Sequence, residues 1–309
     1  MPKPRNHLAD YGVYVLVRII FCVIQALSPL KALLLADALA WLAYRLDKRH
    51  RLAAEENLRC AFPEITDPAA IDRRVRAVYR HFCRLLMEIA HLPRRLHTTN
   101  WRQYVELVGG REILNGLVSQ RPLMFLTGHF GNWELGGYTL GLLGFHTHAI
   151  ARPLDNPYLD DFLRRFREHT GQKLLAKKGD FEQMQAILKS GGAIATLADQ
   201  DAGQRGLFVD FFGRPASTHK AVALLSLEYK VPMIVIGVRK IGEPMRYQIV
   251  VEDAIYPEEY QGQPNAVRLM TERFTSALER IIRTAPEQYF WLHRRWKHQP
   301  AQRKKKQAA

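Results

Sequence analysis

His129 and Glu134 stand five positions apart in "TGHFGNWELGG" (residues 127–137), with Gly128, Gly131 and Asn132 around them. An imidazole and a carboxylate together can make a general base. The carboxylate fixes one ring nitrogen in its tautomer and leaves the other free to take a proton from a hydroxyl. Regular structure keeps the two side chains apart, because a spacing of five separates them by about 140° around a helix and places them on opposite faces of a strand. A break between elements removes that obstacle. "PLMFLT" reads as a buried strand and "NWELGGYTL" as a helix. Residues 128–131 then form a glycine-permitted turn, Asn132 becomes an N-cap, and Glu134 falls in the first helical turn. His129 can fold back toward Glu134 there, and the free amides of a helix start suit a developing oxyanion. No serine or cysteine is required, since the base would act on a substrate hydroxyl. Taken alone, the stretch also reads as a turn histidine followed by a favourable charge at a helix N-terminus.

The elements that must hold this turn follow from hydrophobic patterning. Residues 47–97 read as helical, with "AIDRRVRAVYRHFCRLLMEIAHL" apolar at 3–4 spacing and Asp67–Pro68 at a helix start. Beyond residue 100, strands ("PLMFLT", "FHTHAIARP", "AIATLAD", "MIVIGVRK", residues 245–252) alternate with amphipathic helices. The last of these helices spans 265–284. That alternation predicts an α/β fold with a mixed, mostly parallel sheet flanked by helices.

Residues 11–28, "YGVYVLVRIIFCVIQALS", and a second run, "ALLLADALAWLAYRL", are apolar. The first approaches the roughly 20 residues a spanning helix needs, and a tilted or interfacial helix with a snorkelling Arg18 would spare the cost of a charge at mid-bilayer. A signal peptide and a buried core helix are the other readings, and no convincing cleavage site follows the run. Lys48, Arg49 and Arg51 follow the apolar segments more densely than Lys3 and Arg5 precede them, which puts the body on the cytoplasmic side of a membrane. The expected organisation is a membrane-anchoring segment at 1–46, an α/β domain at 47–300 and a basic disordered tail at 301–309.

The chain of 309 residues carries 45 Lys+Arg against 30 Asp+Glu, a net +15 at pH 7, which favours anionic partners. Nucleic acid is one such partner, but the basic residues are scattered through amphipathic helices and no recognition motif is present; a basic nucleic-acid- or membrane-binding protein remains the non-enzymatic alternative. Three cysteines without CxxC spacing read as reduced, buried thiols. His146 and His148 alternate on a strand as two metal ligands can, yet no third ligand follows at a recognisable spacing, so no metal site is expected.

The turn and the segments after it resemble one family. "GHFGNWE" is similar to the H-x4-D/E motif of glycerolipid acyltransferases, in the form found in lipid A biosynthesis (lauroyl/myristoyl) acyltransferases. "ARPLDNPYLD" resembles that family's "YRP…NP" segment, "LADQDAGQRGLFVDFFGRPAST" its "DQD…G…FFG…A.T" block, and "PEQYFWLHRRWK" its C-terminal signature; "ENLRCAFPE" fits its N-terminal half. Ala151 and Ala198 depart from the usual residues, which leaves the branch of the family open. The resemblance implies transfer of a fatty acyl chain from an acyl carrier protein thioester (or acyl-CoA) to a hydroxyl of a lipid A precursor, without any further cofactor, at the inner membrane. Another lipid acceptor, such as a lysophospholipid or a phosphoinositol mannoside, is the alternative.

On this reading His129 is the base and Glu134 orients it. Arg152 would bind an acceptor phosphate, or else pair with Asp155 at the surface. Asn156, Asp199, Gln200 and Arg214 belong to the same substrate-binding set, with Asp199 positioning Arg152 or a substrate sugar. Phe211 and Phe212 would line the acyl-chain pocket, or else serve as core aromatics.

Overall fold

The computed structural model describes residues 6–119, 121–176 and 181–300; the expected basic tail lies outside them. In chain order the elements are α1 (His7–Ala26), α2 (Pro29–Leu46), α3 (Lys48–Ala61), α4 (Pro68–Arg95), β1 (Val105–Val108), α5 (Gly110–Val118), β2 (Leu123–Thr127), α6 (Trp133–Leu142), β3 (Thr147–Ala151), α7 (Pro157–Glu168), β4 (Lys173–Ala176), α8 (Phe181–Lys189), β5 (Ala193–Leu197), β6 (Leu207–Phe211), β7 (Arg214–Thr218), α9 (Ala221–Tyr229), β8 (Met233–Gly242), β9 (Arg246–Ile255) and α10 (Ala266–Thr284).

Seven strands form one sheet in the order β1-β9-β8-β2-β5-β3-β4, and β6 and β7 form a separate hairpin. Pairing in the large sheet is parallel except between β8 and β9, so the expected mixed, mostly parallel α/β architecture is the one observed. β2 lies between β8 and β5, and its run Leu123–Leu126 is at most 3% exposed. Buried on both faces, such a strand shows a continuous apolar run rather than alternation. β1, β4 and the β6–β7 hairpin were not among the predicted strands. Each carries a charged residue (Glu106, Lys173, Asp210, Arg214) within four or five positions, which breaks the apolar run that marks the equally short β2 and β5.

α4 begins where the sequence predicts. The Asp67 carboxylate accepts from the amides of Ala69 (2.9 Å) and Ala70 (3.1 Å), and Pro68 occupies the first turn. Its buried stripe, Ile71, Val75, Val78, Leu85 and Leu92, follows the helical period and meets the core.

α1 has no buried residue, and Leu8, Leu16, Ile19, Ile20 and Val23 expose about half or more of their surface. It is long and apolar enough to cross a membrane. Arg18 does not stand alone on it: the guanidinium lies over the Phe162 ring at 4.8 Å and donates to the Tyr14 hydroxyl at 3.2 Å. α1 therefore leans on α7, where Phe21 meets Phe162 and Tyr11 meets Tyr158 edge-on. α2 buries Ala32, Ala36, Ala40 and Tyr44 but exposes Leu30, Leu34, Trp41 and Leu46. The cysteines are free, as expected, but Cys22 on α1 is exposed rather than buried, and Cys60 and Cys83 are half-buried.

Candidate active site

Two neighbouring parallel strands end side by side and bring the key groups together. β2 pairs with β5 in a register that sets Thr127 opposite Leu197, so residues two positions further along each chain emerge at the same edge. The residue two beyond Thr127 is His129, and the residue two beyond Leu197 is Asp199. His129 Nδ1 donates to Asp199 Oδ1 at 2.8 Å, and the His129 amide donates to Oδ2 at 2.8 Å. With Nδ1–H committed to the carboxylate, Nε2 carries the free lone pair. Carboxyl ends of central strands are where open α/β sheets place their sites.

Burial by itself would discourage charge on either partner. The attraction and hydrogen bond of the ion pair outweigh it, so His129 titrates above the ordinary 6.5. The same pairing holds the buried Asp199 carboxyl well below the usual carboxylate range.

The turn is fixed from three sides. Gly131 has φ +58°, and a Cβ there would stand 1.7 Å from the Val238 carbonyl oxygen, so this position requires glycine. The Gly131 amide donates to the Gln288 carbonyl (2.9 Å), that of Asn132 to the Val238 carbonyl (3.0 Å), and that of Phe290 to the His129 carbonyl (2.9 Å). Asn132 caps α6 as predicted, accepting from the Leu135 amide at 3.0 Å. On the α4 side, the buried His81 contacts the Gly131 carbonyl through Nε2 at 3.3 Å. Burial pushes its pKa down to about 4, so the ring is neutral and Nε2–H is the donor.

Glu134 is not the carboxylate on the His129 ring. Its oxygens take a bidentate pair from Arg167, Nε to Oε2 at 2.9 Å and Nη2 to Oε1, and a hydrogen bond from Trp133 Nε1 at 3.2 Å. The first turn of α6 carries Glu134 toward α7, while the end of β5 supplies a carboxylate already in contact with the imidazole. Glu134 still adds to the field that raises the His129 pKa, behind the contribution of Asp199. The Glu134 and Arg167 side chains are 11% and 19% exposed, so removing one strands the other's charge in a poorly solvated place. Arg167→Ala is expected to lower unfolding free energy by about 3 kcal/mol, measured by denaturant melts against wild type.

A partly open cavity lies beside the Glu134–Arg167 pair, between α6 and the sheet. Its wall is mostly apolar, made by the small residues Gly136, Gly137, Ala149, Ala151 and Ala195 together with Leu140, Ile150, Ile236 and Val238, while Glu134, Arg167 and Gln172 line its polar side. His129 does not line it, but Trp133 does, and the Trp133 ring meets the His129 ring edge-on at 5.1 Å, so one side chain links base and cavity.

The remaining predicted residues have other places. Phe211 and Phe212 do not line this cavity. They are 1% and 5% exposed and pack edge-on against each other, with Trp291 on Phe212 and Trp296 near Phe211. The β6–β7 hairpin folds onto α10 and the C-terminal segment, which buries these rings as core aromatics. Arg214 Nη1 donates to Cys60 Sγ at 2.9 Å. Asn156 caps α7 and donates to the Asp10 carbonyl at 2.8 Å, tying α7 to α1. Gln200 is exposed. Arg152 is 80% exposed, and its contact with Asp155 is a loose 3.5 Å. Asp199 touches neither Arg152 nor solvent; its partner is His129.

Sequence reasoning did not single out Arg167, and it picked out the segment "PEQYFWLHRRWK" without placing its Tyr289 and Arg295 in the core. Arg295, 1% exposed, donates to the Ser217 carbonyl (2.6 Å) and Thr218 Oγ1 (2.7 Å) and lies over the Phe211 ring at 5.1 Å. Tyr289 is fully buried and bridges Phe130, directly after His129. The equal two-residue overhang of "PLMFLT" and "AIATL" was the available signal for the His129–Asp199 pair. Nothing in "FLRRFRE" distinguishes Arg167 from its neighbours.

The chain is also similar in sequence to known proteins. Residues 2–298 match the model of the bacterial lipid A biosynthesis acyltransferase family. The chain is similar to a lipid A biosynthesis lauroyltransferase of Escherichia coli (strain K12), 26% identical over 301 residues, covering 96% of this chain and 94% of the relative. It is likewise similar to a lipid A biosynthesis palmitoleoyltransferase of the same strain, 26% identical over 258 residues, with 82% and 80% covered. A phosphatidylinositol mannoside acyltransferase of Mycobacterium tuberculosis (strain ATCC 25618 / H37Rv) is 27% identical over 167 residues, with 52% of this chain and 53% of the relative covered.

Proposed function

The chain belongs to the bacterial lipid A biosynthesis acyltransferase family, and on that premise we propose that it moves a fatty acyl chain from an acyl carrier protein thioester to a hydroxyl of a lipid A precursor. The observation that carries this reading is His129, held by Asp199 with Nε2 free and linked through Trp133 to a mostly apolar cavity. His129 Nε2 takes the proton of the acceptor hydroxyl as its oxygen attacks the thioester carbonyl. The imidazolium is stabilised by Asp199 directly and by Glu134 at longer range. Amides in the first turn of α6 are the candidate donors to the oxyanion. Collapse of the tetrahedral intermediate expels the carrier thiolate, which recovers the proton from His129. Arg152, exposed and loosely paired, is available to an acceptor phosphate.

The apolar cavity is assigned to the acyl chain. Ala149→Leu is expected to move the preferred chain shorter, with each excluded methylene costing roughly 1–3 kcal/mol; competition between donors of different chain length measures this. α1, unburied and leaning on α7 near the site, is assigned to the inner membrane, with the α/β body on the cytoplasmic face. Lipid A precursor is preferred to an inositol mannoside because the match to the lauroyltransferase spans 96% of this chain and that to the mannoside enzyme 52%. Deleting the gene in its host and weighing extracted lipids by mass spectrometry tests the choice. Lipid A lacking one secondary acyl chain supports it; intact lipid A with an altered phospholipid or glycolipid excludes it.

A further inference from the structure

Phe290 stands between two histidines. Its ring centroid is 6.1 Å from that of His129 and 6.2 Å from that of His293, with which it is stacked at 8°. Its backbone is engaged at both ends. The amide donates to the His129 carbonyl at 2.9 Å, and the carbonyl accepts from His293 Nδ1 at 2.9 Å. The turn that carries His293 is in turn held by α3, where the buried Asn57 donates through Nδ2 to the carbonyls of Trp291 (2.6 Å) and His293 (2.7 Å).

We propose that His293 is a positioning residue for His129: its Nδ1–H fixes Phe290, and Phe290 fixes the backbone and ring face of the base. This rests on the reading of His129 as general base. Sub-ångström placement matters for such a group, because the proton it takes must lie within hydrogen-bond reach.

The charges around His293 fit a neutral positioning role. A carbonyl can only accept, so Nδ1 carries the hydrogen and Nε2 is bare; Nε2 is buried without a hydrogen-bond partner. Burial, Arg295 and His129 all oppose a proton on His293, and only Asp199 and the bond to Phe290 favour one; the balance keeps its pKa below the ordinary value. A neutral His293 leaves the Asp199 charge to His129. Glu134, the other carboxylate that acts on His129, is occupied by Arg167.

Two neutral amides separate positioning from bulk structure. In His293→Asn the side-chain nitrogen falls near the Nδ1 position and can still donate to the Phe290 carbonyl. In His293→Gln it falls near Nε2 and cannot. Full-length protein is assayed with an acyl carrier protein donor and a lipid A precursor, measuring kcat and acceptor KM, with thermal unfolding of each variant. The expected result is a kcat at least about tenfold lower for His293→Gln with KM little changed, and most of the rate kept by His293→Asn. Equal loss in both variants, a loss confined to KM, undiminished kcat in His293→Gln, or failure of both to fold overturns the proposal. A His129→Asn control that keeps full activity would instead overturn the general-base reading beneath it.

Discussion

Replacing His129 by asparagine is expected to lower kcat by about 10²–10⁴-fold, the range that a positioned proton acceptor contributes. Asparagine is the sharper substitution than alanine. Its amide nitrogen can still donate to Asp199 Oδ1, while the Nε2 lone pair disappears. Alanine would also remove the imidazole donor from a carboxylate that is 2% exposed, at a cost of roughly 3–5 kcal/mol when a buried pair is broken. A loss of rate in His129→Asn with an unchanged melting curve therefore isolates chemistry from folding. In His129→Ala the same loss of rate is expected with a lower melting temperature.

Asp199→Asn is expected to cost as much or more. Asparagine turned toward Nδ1 through its carbonyl loses the charge; turned through its amide, it forces the proton onto Nε2 and abolishes the base. In serine hydrolase triads the equivalent change lowers kcat by about 10⁴-fold, and a loss of that order is expected here. The pH profile adds a second readout. His129 must be neutral to act, and in the wild type its pKa is raised above 6.5 by Asp199, so the rate climbs with pH through a value above 6.5. Asp199→Asn moves that acid limb to lower pH.

Stability follows the same linkage with opposite signs for the two partners. The Asp199 carboxyl is depressed on folding, so it stabilises the fold above its unfolded pKa, and that stabilisation is lost as pH falls through the folded value. The raised His129 pKa contributes fully below its unfolded pKa, and its contribution is lost as pH rises through the folded one. Asp199→Asn removes both, so its melting temperature should fall most between the unfolded pKa values of the pair, 3.8 and 6.5, where both contributions are complete.

Much of the frame was legible in the sequence because single residues carried strong local signals. Asp67–Pro68 marks the start of α4, Asn132 caps α6, and the apolar runs 123–127 and 193–197 are central strands. The glycine turn at 128–131 was legible for the same reason: Gly131 sits against a backbone carbonyl that no side chain would clear. Pairings that depend on which elements become neighbours were not. Glu134 is near His129 in sequence and Asp199 is 70 residues away, yet strand order decides the contact. The pairing of Glu134 with Arg167 depends in the same way on α7 crossing the end of α6. Phe211 and Phe212 illustrate the converse. Their composition suited an acyl pocket, but the cavity is made by small residues on β3, β5 and α6, which no apolar cluster in the sequence advertises.

The most direct test is mass spectrometry of the product formed by purified protein, lipid A precursor and an acyl carrier protein carrying a defined fatty acyl chain. The expected product is the precursor enlarged by one acyl group, formed by the wild type and lost in both His129→Asn and Asp199→Asn. An unacylated precursor with the folded wild type, or acylated product at wild-type rate from either variant, would contradict the assignment.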